Sequence, residues 1–150
     1  MSPVSARRRP FVPRTPFRAG TSCVITWVYD QSRQPLQSGG QLSGCGGGSQ
    51  PLAYLGIHGI RDKVLGVSGG RGLRDRFVRN NGCAAQNPPD PAQGSRTHGI
   101  TTYAGCSAGH PVEWAAFDEG HIAAPQDGAG GDSGSRTWAP AEVWKFFTQF

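Results

Sequence analysis

The chain has 150 residues, 36% of them hydrophobic, with 23 Gly, 12 Pro and a net charge of +5. That length holds one modest core, and so much Gly and Pro predicts short elements joined by many turns. The basic excess sits in residues 1–40, six Arg against Asp30, and the rest is neutral, which speaks against a folded nucleic-acid-binding face; no run of about 18 apolar residues exists to span a membrane.

Residues 1–21 place Pro3, Pro10, Pro13 and Pro16 among arginines. Proline at that spacing blocks both helix and central strand, so the segment is expected to be unstructured. Arg7-Arg8-Arg9 has no apolar stretch behind it and does not read as a secretory signal peptide. Cys23 to Tyr29, β-branched and aromatic, predicts a strand, and residues 30–51 are turn-rich. Leu52 to Ile57 reads as a buried strand. Gly66 to Gly72 reads as a loop, with Ser68 as N-cap for a short helix from Leu73 to Asn80. In that helix Leu73, Phe77 and Val78 face inward, Arg74, Arg76 and Arg79 face solvent, and Gly82 supplies a left-handed stop. Residues 84–99 form a Pro/Gly/Ser loop, Thr101 to Tyr103 and Pro111 to Phe117 are strands, and residues 118–136 are loop. A closing helix opens near Pro140 and carries Val143, Phe146, Phe147 and Phe150 as its apolar face. Strand, helix, strand, strand, loop, helix is the order of the last part of an α/β sheet protein.

Two of the apolar runs end in chemistry. The stretch Ala53-Tyr-Leu-Gly-Ile-His-Gly-Ile-Arg-Asp62 delivers a carboxylate just past its strand, and Val112 to Phe117 delivers His121 in the same way. Singly, each is ordinary turn chemistry. Together they supply the acid that orients an imidazole and the base that shuttles a proton in a hydrolase triad. Three serines stand in elbow-like contexts: Gly66-Val-Ser68-Gly-Gly70, Gly105-Cys-Ser107-Ala-Gly109 and Gly131-Asp-Ser133-Gly134. None fits. Ser68 follows Asp62, against the Ser, acid, His order of α/β-hydrolases; Ser107 precedes a strand and not a helix; Ser133 lies downstream of His121. His58 has no close-spaced partner with which to hold a metal, and His98 and His110 lie in loops without an evident role. No Cys-x-x-Cys pair is present. Cys83 and Cys106 flank the 84–99 excursion and read either as a staple across it or as two buried thiols.

Five separated stretches, in order, resemble the C-terminal half of fungal feruloyl esterases of the type C group, secreted esterases related to polyhydroxybutyrate depolymerases. They are Ser38-Gly-Gly-Gln-Leu-Ser-Gly-Cys45, Ala53 to Asp62, Ser68 to Cys83, Pro111-Val-Glu-Trp-Ala-Ala-Phe-Asp-Glu-Gly-His121 and Glu142-Val-Trp-Lys-Phe-Phe147. The resemblance implies an α/β fold in which residues 38–150 are the C-terminal portion of an α/β-hydrolase, with the N-terminal strands and nucleophile elbow missing. Residues 1–37 are then a divergent Arg/Pro-rich leader, disordered or mis-spliced. The resemblance also implies that Asp62 is the triad acid and His121 the triad base, and that Cys83 and Cys106 are bonded.

The function implied is that of an extracellular serine esterase. It would release ferulic and related hydroxycinnamic acids from arabinoxylan or pectin through an acyl-enzyme, with no metal, cofactor, nucleic acid or membrane. Residues 1–37 do not match the family, however, and Gly20-Thr-Ser22-Cys-Val24 lacks the second glycine of an elbow. The nucleophilic serine is therefore expected to be absent, and the chain inactive as written. Two alternatives remain: a relative of acetylxylan esterases or polyester depolymerases, which share the triad, or a non-catalytic polysaccharide-binding fragment using exposed Trp114, Trp138 or Trp144.

Overall fold

The computed structural model describes residues 49–131 and 136–149. The Arg/Pro-rich leader, the boundary expected at residue 38, the strand expected over Cys23–Tyr29, the Ser38–Cys45 stretch, Ser133 and Phe150 lie outside the described residues. What is described is a small mixed α/β domain. Its elements are β1 (Tyr54–Gly59), α1 (Val67–Asn80), β2 (His98–Thr102), β3 (Val112–Phe117) and α2 (Ala139–Phe147). The sheet order is β1-β3-β2. β1 runs parallel to β3, with Tyr54 opposite Val112 and Gly59 opposite Phe117. β2 is antiparallel to β3, with His98 opposite Phe117.

β3 occupies the centre because every one of its residues is apolar or partnered, and all six are buried. Alternation divides it between two faces. Val112, Trp114 and Ala116 join Tyr54, Leu73, Val78 and Tyr103 in one cluster, under α1. Ala115 and Phe117 join Ile57 and Ala139 in the other, under α2. The sheet is thus covered on both sides, the arrangement that lets a parallel strand read as a continuous apolar run. Among the described residues no helix is long and apolar enough to cross a membrane.

Several boundaries and facings differ from those expected. β1 begins two residues later than Leu52 and β2 three residues earlier than Thr101. Both shifts follow from pairing with β3, which is long-range and leaves no local mark. α1 opens at Val67, so Ser68 is not its N-cap but lies in its first turn, and the helix runs through the Gly69-Gly70-Arg71-Gly72 stretch. Each helical glycine costs up to about 1 kcal/mol relative to Ala, and packing outweighs that here. A Cβ on Gly70 would sit 2.5 Å from His58 Nδ1 and 3.0 Å from the Trp114 ring, so the missing side chain is what lets α1 close on the sheet.

Arg74 does not face solvent. It is buried with its guanidinium over the Trp114 ring, 5.3 Å from the centroid, and reaches Asp75 at 2.8 Å. Trp114 itself is only 2% exposed and Trp138 is half-buried, so of the three tryptophans considered for polysaccharide binding only Trp144, 73% exposed, stands in solvent. Phe147 is likewise 55% exposed, while Phe146 is the buried anchor of α2. The left-handed stop after α1 forms at Gly82, where φ is +68° and Cys83 N–H donates back to Val78 O at 3.0 Å.

Candidate active site

Because β1 and β3 run in the same direction, their carboxyl ends lie together, at the edge where open α/β sheets place their ligands. The pairing continues past the strands. Ile60 N–H donates to Phe117 O at 2.9 Å and Arg61 N–H to Glu119 O at 3.0 Å. A side chain at Gly59 would strike the Glu119 and Gly120 carbonyls. The second glycine of Gly56-Ile-His-Gly59 therefore permits the tail of β3 to close over the tail of β1.

Asp62 comes one turn after β1, its N–H closing onto Gly59 O at 3.2 Å. Its carboxylate folds back over the next loop, where Oδ1 accepts the N–H groups of Val64 and Leu65, both at 2.8 Å. Oδ2 faces the tail of β3 and accepts from His121 Nδ1 at 2.8 Å. A carboxylate in its ionised form only accepts, and against that form Nδ1 is the donor and Nε2 is the ring nitrogen left for a further partner. The Asp62 side chain is sealed from solvent while that of His121 is 41% exposed. The pair has a buried acid end and a wet base end. Such an imidazole can take a proton at Nε2 from a hydroxyl or a water, and the buried carboxylate stabilises the cation formed.

The loop that carries His121 is held at both ends by residues 96–98. At its start, buried Asp118 accepts the Arg96 N–H at 2.9 Å and the Arg61 Nε–H at 2.9 Å, and its own N–H donates to Thr97 O. The Arg96 amide foremost, helped by the Arg61 guanidinium, holds the Asp118 carboxyl below the usual carboxylate range. Arg61 also reaches Glu119 at 3.2 Å. Towards the loop's end, Asp127 meets His98 Nδ1 at 2.9 Å and Gly128 N–H donates to Arg96 O at 2.8 Å. His98 stacks on Trp138 with ring centroids 4.0 Å apart. His98 is therefore not an idle loop residue: it opens β2 and fastens the neighbouring loop.

His58 points to the α1 side and is 1% exposed. Its Nε2–H donates to Leu65 O at 2.8 Å, and Nε2 lies 3.7 Å from Asp62 Oδ2. Burial holds this imidazole below its ordinary pKa, against the opposing pull of the Leu65 carbonyl and Asp62. Among the described residues no group of three or more His, Cys, Asp or Glu is arranged to hold a metal ion.

Of the serines considered from sequence, the two described ones are elsewhere. Ser68 is exposed on the first turn of α1. Ser107 faces His110 across 3.4 Å in the β2–β3 loop, at the opposite end of β3 from His121. Among the described residues no serine hydroxyl bonds to His121. Cys83 and Cys106 are joined by a disulfide that ties the end of α1 to the loop after β2. Sequence reasoning missed three bonds around the pair: His58 to the Leu65 carbonyl, Arg61 to Asp118 and His98 to Asp127. One local signal was available, since an Asp whose side chain caps the N–H two residues on is an Asx-turn pattern. The other partners are 22 or more residues apart, or depend on a backbone carbonyl, and leave no such trace.

No family model matches the chain. Comparison with curated proteins does find relatives. The chain is 49% identical over 110 residues to the probable feruloyl esterase C of Aspergillus clavatus, 48% identical over 110 residues to feruloyl esterase C of Emericella nidulans, and 44% identical over 114 residues to feruloyl esterase D of Neurospora crassa. These matches cover 73%, 73% and 75% of this chain and 38% of each relative. Over about three quarters of its length, then, this chain belongs with the fungal feruloyl esterases, and it spans little more than a third of theirs.

Proposed function

We propose that residues 38–150 are the acid–base portion of a serine carboxylic-ester hydrolase of the feruloyl esterase type, with an α/β-hydrolase fold. Its substrates are feruloyl and related hydroxycinnamoyl esters of arabinoxylan or pectin, met outside the cell. Asp62 is the orienting acid and His121 the base. The observation that carries this reading is the 2.8 Å bond from His121 Nδ1 to the sealed Asp62 carboxylate, made by a ring that is itself 41% exposed. The names of the relatives support the substrate class.

In this reading Nε2 takes the proton of a serine hydroxyl as its oxygen adds to the ester carbonyl. The imidazolium, held against Asp62, then returns that proton to the leaving alcohol, and a water repeats the sequence on the acyl-enzyme. None of Ser22, Ser68, Ser107 and Ser133 stands in the context of a nucleophile elbow, so in this reading the 150 residues alone are expected not to turn over ester.

Two measurements test the reading. The pure 150-residue protein is expected to release no ferulate from methyl ferulate, and release abolished by Asp62→Ala would overturn the claim of inactivity. Residues 38–150 are also grafted in place of the matching segment of feruloyl esterase C from Emericella nidulans. The hybrid is expected to cleave methyl ferulate and to lose roughly 10⁶-fold in kcat with His121→Ala. A hybrid indifferent to that substitution removes His121 from the chemistry.

A further inference from the structure

The loop of residues 63–66 supplies both N–H groups that grip Asp62 Oδ1, and among the described residues none of its side chains joins either hydrophobic cluster. Lys63, Val64, Leu65 and Gly66 are all exposed, Val64 at 71% and Leu65 at 41%. Its fixed point is polar. Leu65 is held at both ends of its backbone: its N–H donates to Asp62 Oδ1 at 2.8 Å, and its carbonyl accepts His58 Nε2–H at 2.8 Å. A carbonyl has no hydrogen to give, so His58 must carry its proton on Nε2.

We infer that His58 is a positioning residue for the Asp62–His121 pair: by gripping the Leu65 carbonyl it fixes the loop whose amides aim the Asp62 carboxylate at His121. The inference rests on the acid–base reading of that pair. Three features suit His58 to the task. It sits on β1 four residues before Asp62, so the grip is referred to the rigid sheet and not to another loop. Its ring is confined between Trp114, with centroids 6.0 Å apart, and Gly70, whose missing side chain makes room for Nδ1. Its Nε2 is 3.7 Å from Asp62 Oδ2, too far to bond, so it does not compete with His121 for that oxygen. The ionisable groups around it are Asp62, His121 and Arg71. A positive charge on His58 would draw Asp62 away from His121, and burial disfavours that charge by lowering the imidazole's pKa.

A merely structural His58 would be a flat ring stacked on Trp114, which a phenyl group supplies equally well. The test uses the full 150-residue chain labelled with ¹⁵N, with near-UV circular dichroism as the check on folding. In the parent protein His121 is expected to show a protected, far-downfield Nδ1–H proton and the Nδ1–H tautomer. His58→Phe is expected to lose that proton and to speed amide exchange at Val64 and Leu65 roughly tenfold. His58→Gln, whose amide reaches the same carbonyl, is expected to retain both signatures. His58→Asn, polar but too short to reach, is expected to behave like the Phe variant and serves if that variant does not fold. Retention of the His121 proton and the slow Leu65 amide in either His58→Phe or His58→Asn overturns the positioning role alone. A parent protein without the protected His121 proton, or one in which Asp62→Asn leaves it intact, overturns the pair on which the inference rests.

Discussion

Two glycines in one helix should respond in opposite directions to the same substitution. At Gly70 a new methyl would lie 2.5 Å from His58 Nδ1 and 3.0 Å from the Trp114 ring. Neither neighbour can retreat cheaply: His58 is pinned through Leu65 O, and Trp114 is 2% exposed beneath Arg74. Overpacking of this kind costs about 1–3 kcal/mol, and pinned neighbours place it near the upper figure. The gain in helix propensity on replacing Gly by Ala returns at most about 1 kcal/mol. Gly70→Ala is therefore expected to lose about 2 kcal/mol net. At Gly72 nothing lies within 4 Å and the position is exposed, so Gly72→Ala should gain about 0.5–1 kcal/mol from propensity alone. Urea unfolding followed by tryptophan fluorescence reads both, as shifts in midpoint at unchanged slope. A Gly70→Ala protein as stable as the parent, or shifted the same way as Gly72→Ala, would refute the claim that close approach to the sheet is what makes residue 70 a glycine.

The other expectations concern the framework around the pair. Asn81 is 1% exposed and ties three strands of chain together, accepting Leu52 N–H at 3.0 Å and donating to Leu52 O at 2.7 Å and His110 O at 2.8 Å; Asn81→Ala should cost about 2–3 kcal/mol in urea unfolding, because it strands buried backbone groups. Asp118, held below the usual carboxylate range by the Arg96 amide and Arg61, contributes stability that is present above its unfolded value of 3.8 and is lost as pH falls through the lower folded value. The parent's urea midpoint should therefore drop between pH 5 and strongly acid solution (on the order of pH 2), and Asp118→Asn should flatten that drop. Reduction of the Cys83–Cys106 bond, which closes a loop of 23 residues, should lower stability by about 3 kcal/mol in the chain-entropy account; a thermal scan with and without reductant that shows no difference would count against a closed loop in the native protein.

The Asp62–His121 pair was legible because its logic is periodic and local. Two apolar runs each ended in a turn that delivered one polar side chain, and parallel pairing of the two runs sufficed to bring the side chains together. α1 was legible only in its second half. Leu73, Phe77 and Val78 show helical spacing, but the preceding Gly-Gly-Arg-Gly looks like loop by propensity, and only contact with His58 and Trp114 makes it helix. Arg74 was misplaced for a related reason. A guanidinium reads as solvent-facing unless the aromatic ring it covers is known, and Trp114 is 40 positions away.

By itself, then, the sequence determined the kinds and order of the described elements, the strand ends that carry Asp62 and His121, and the left-handed stop at Gly82. Each depends on spacing between neighbours along the chain or on the special freedom of a glycine at a turn. Only the tertiary structure decided which strand is central and how Arg61 and Arg96 hold the His121 loop through Asp118. It alone showed that His58, through a backbone carbonyl seven residues on, grips the loop beneath Asp62. Those interactions join residues far apart, or involve main-chain groups that every residue possesses, so no pattern of side chains along the chain announces them.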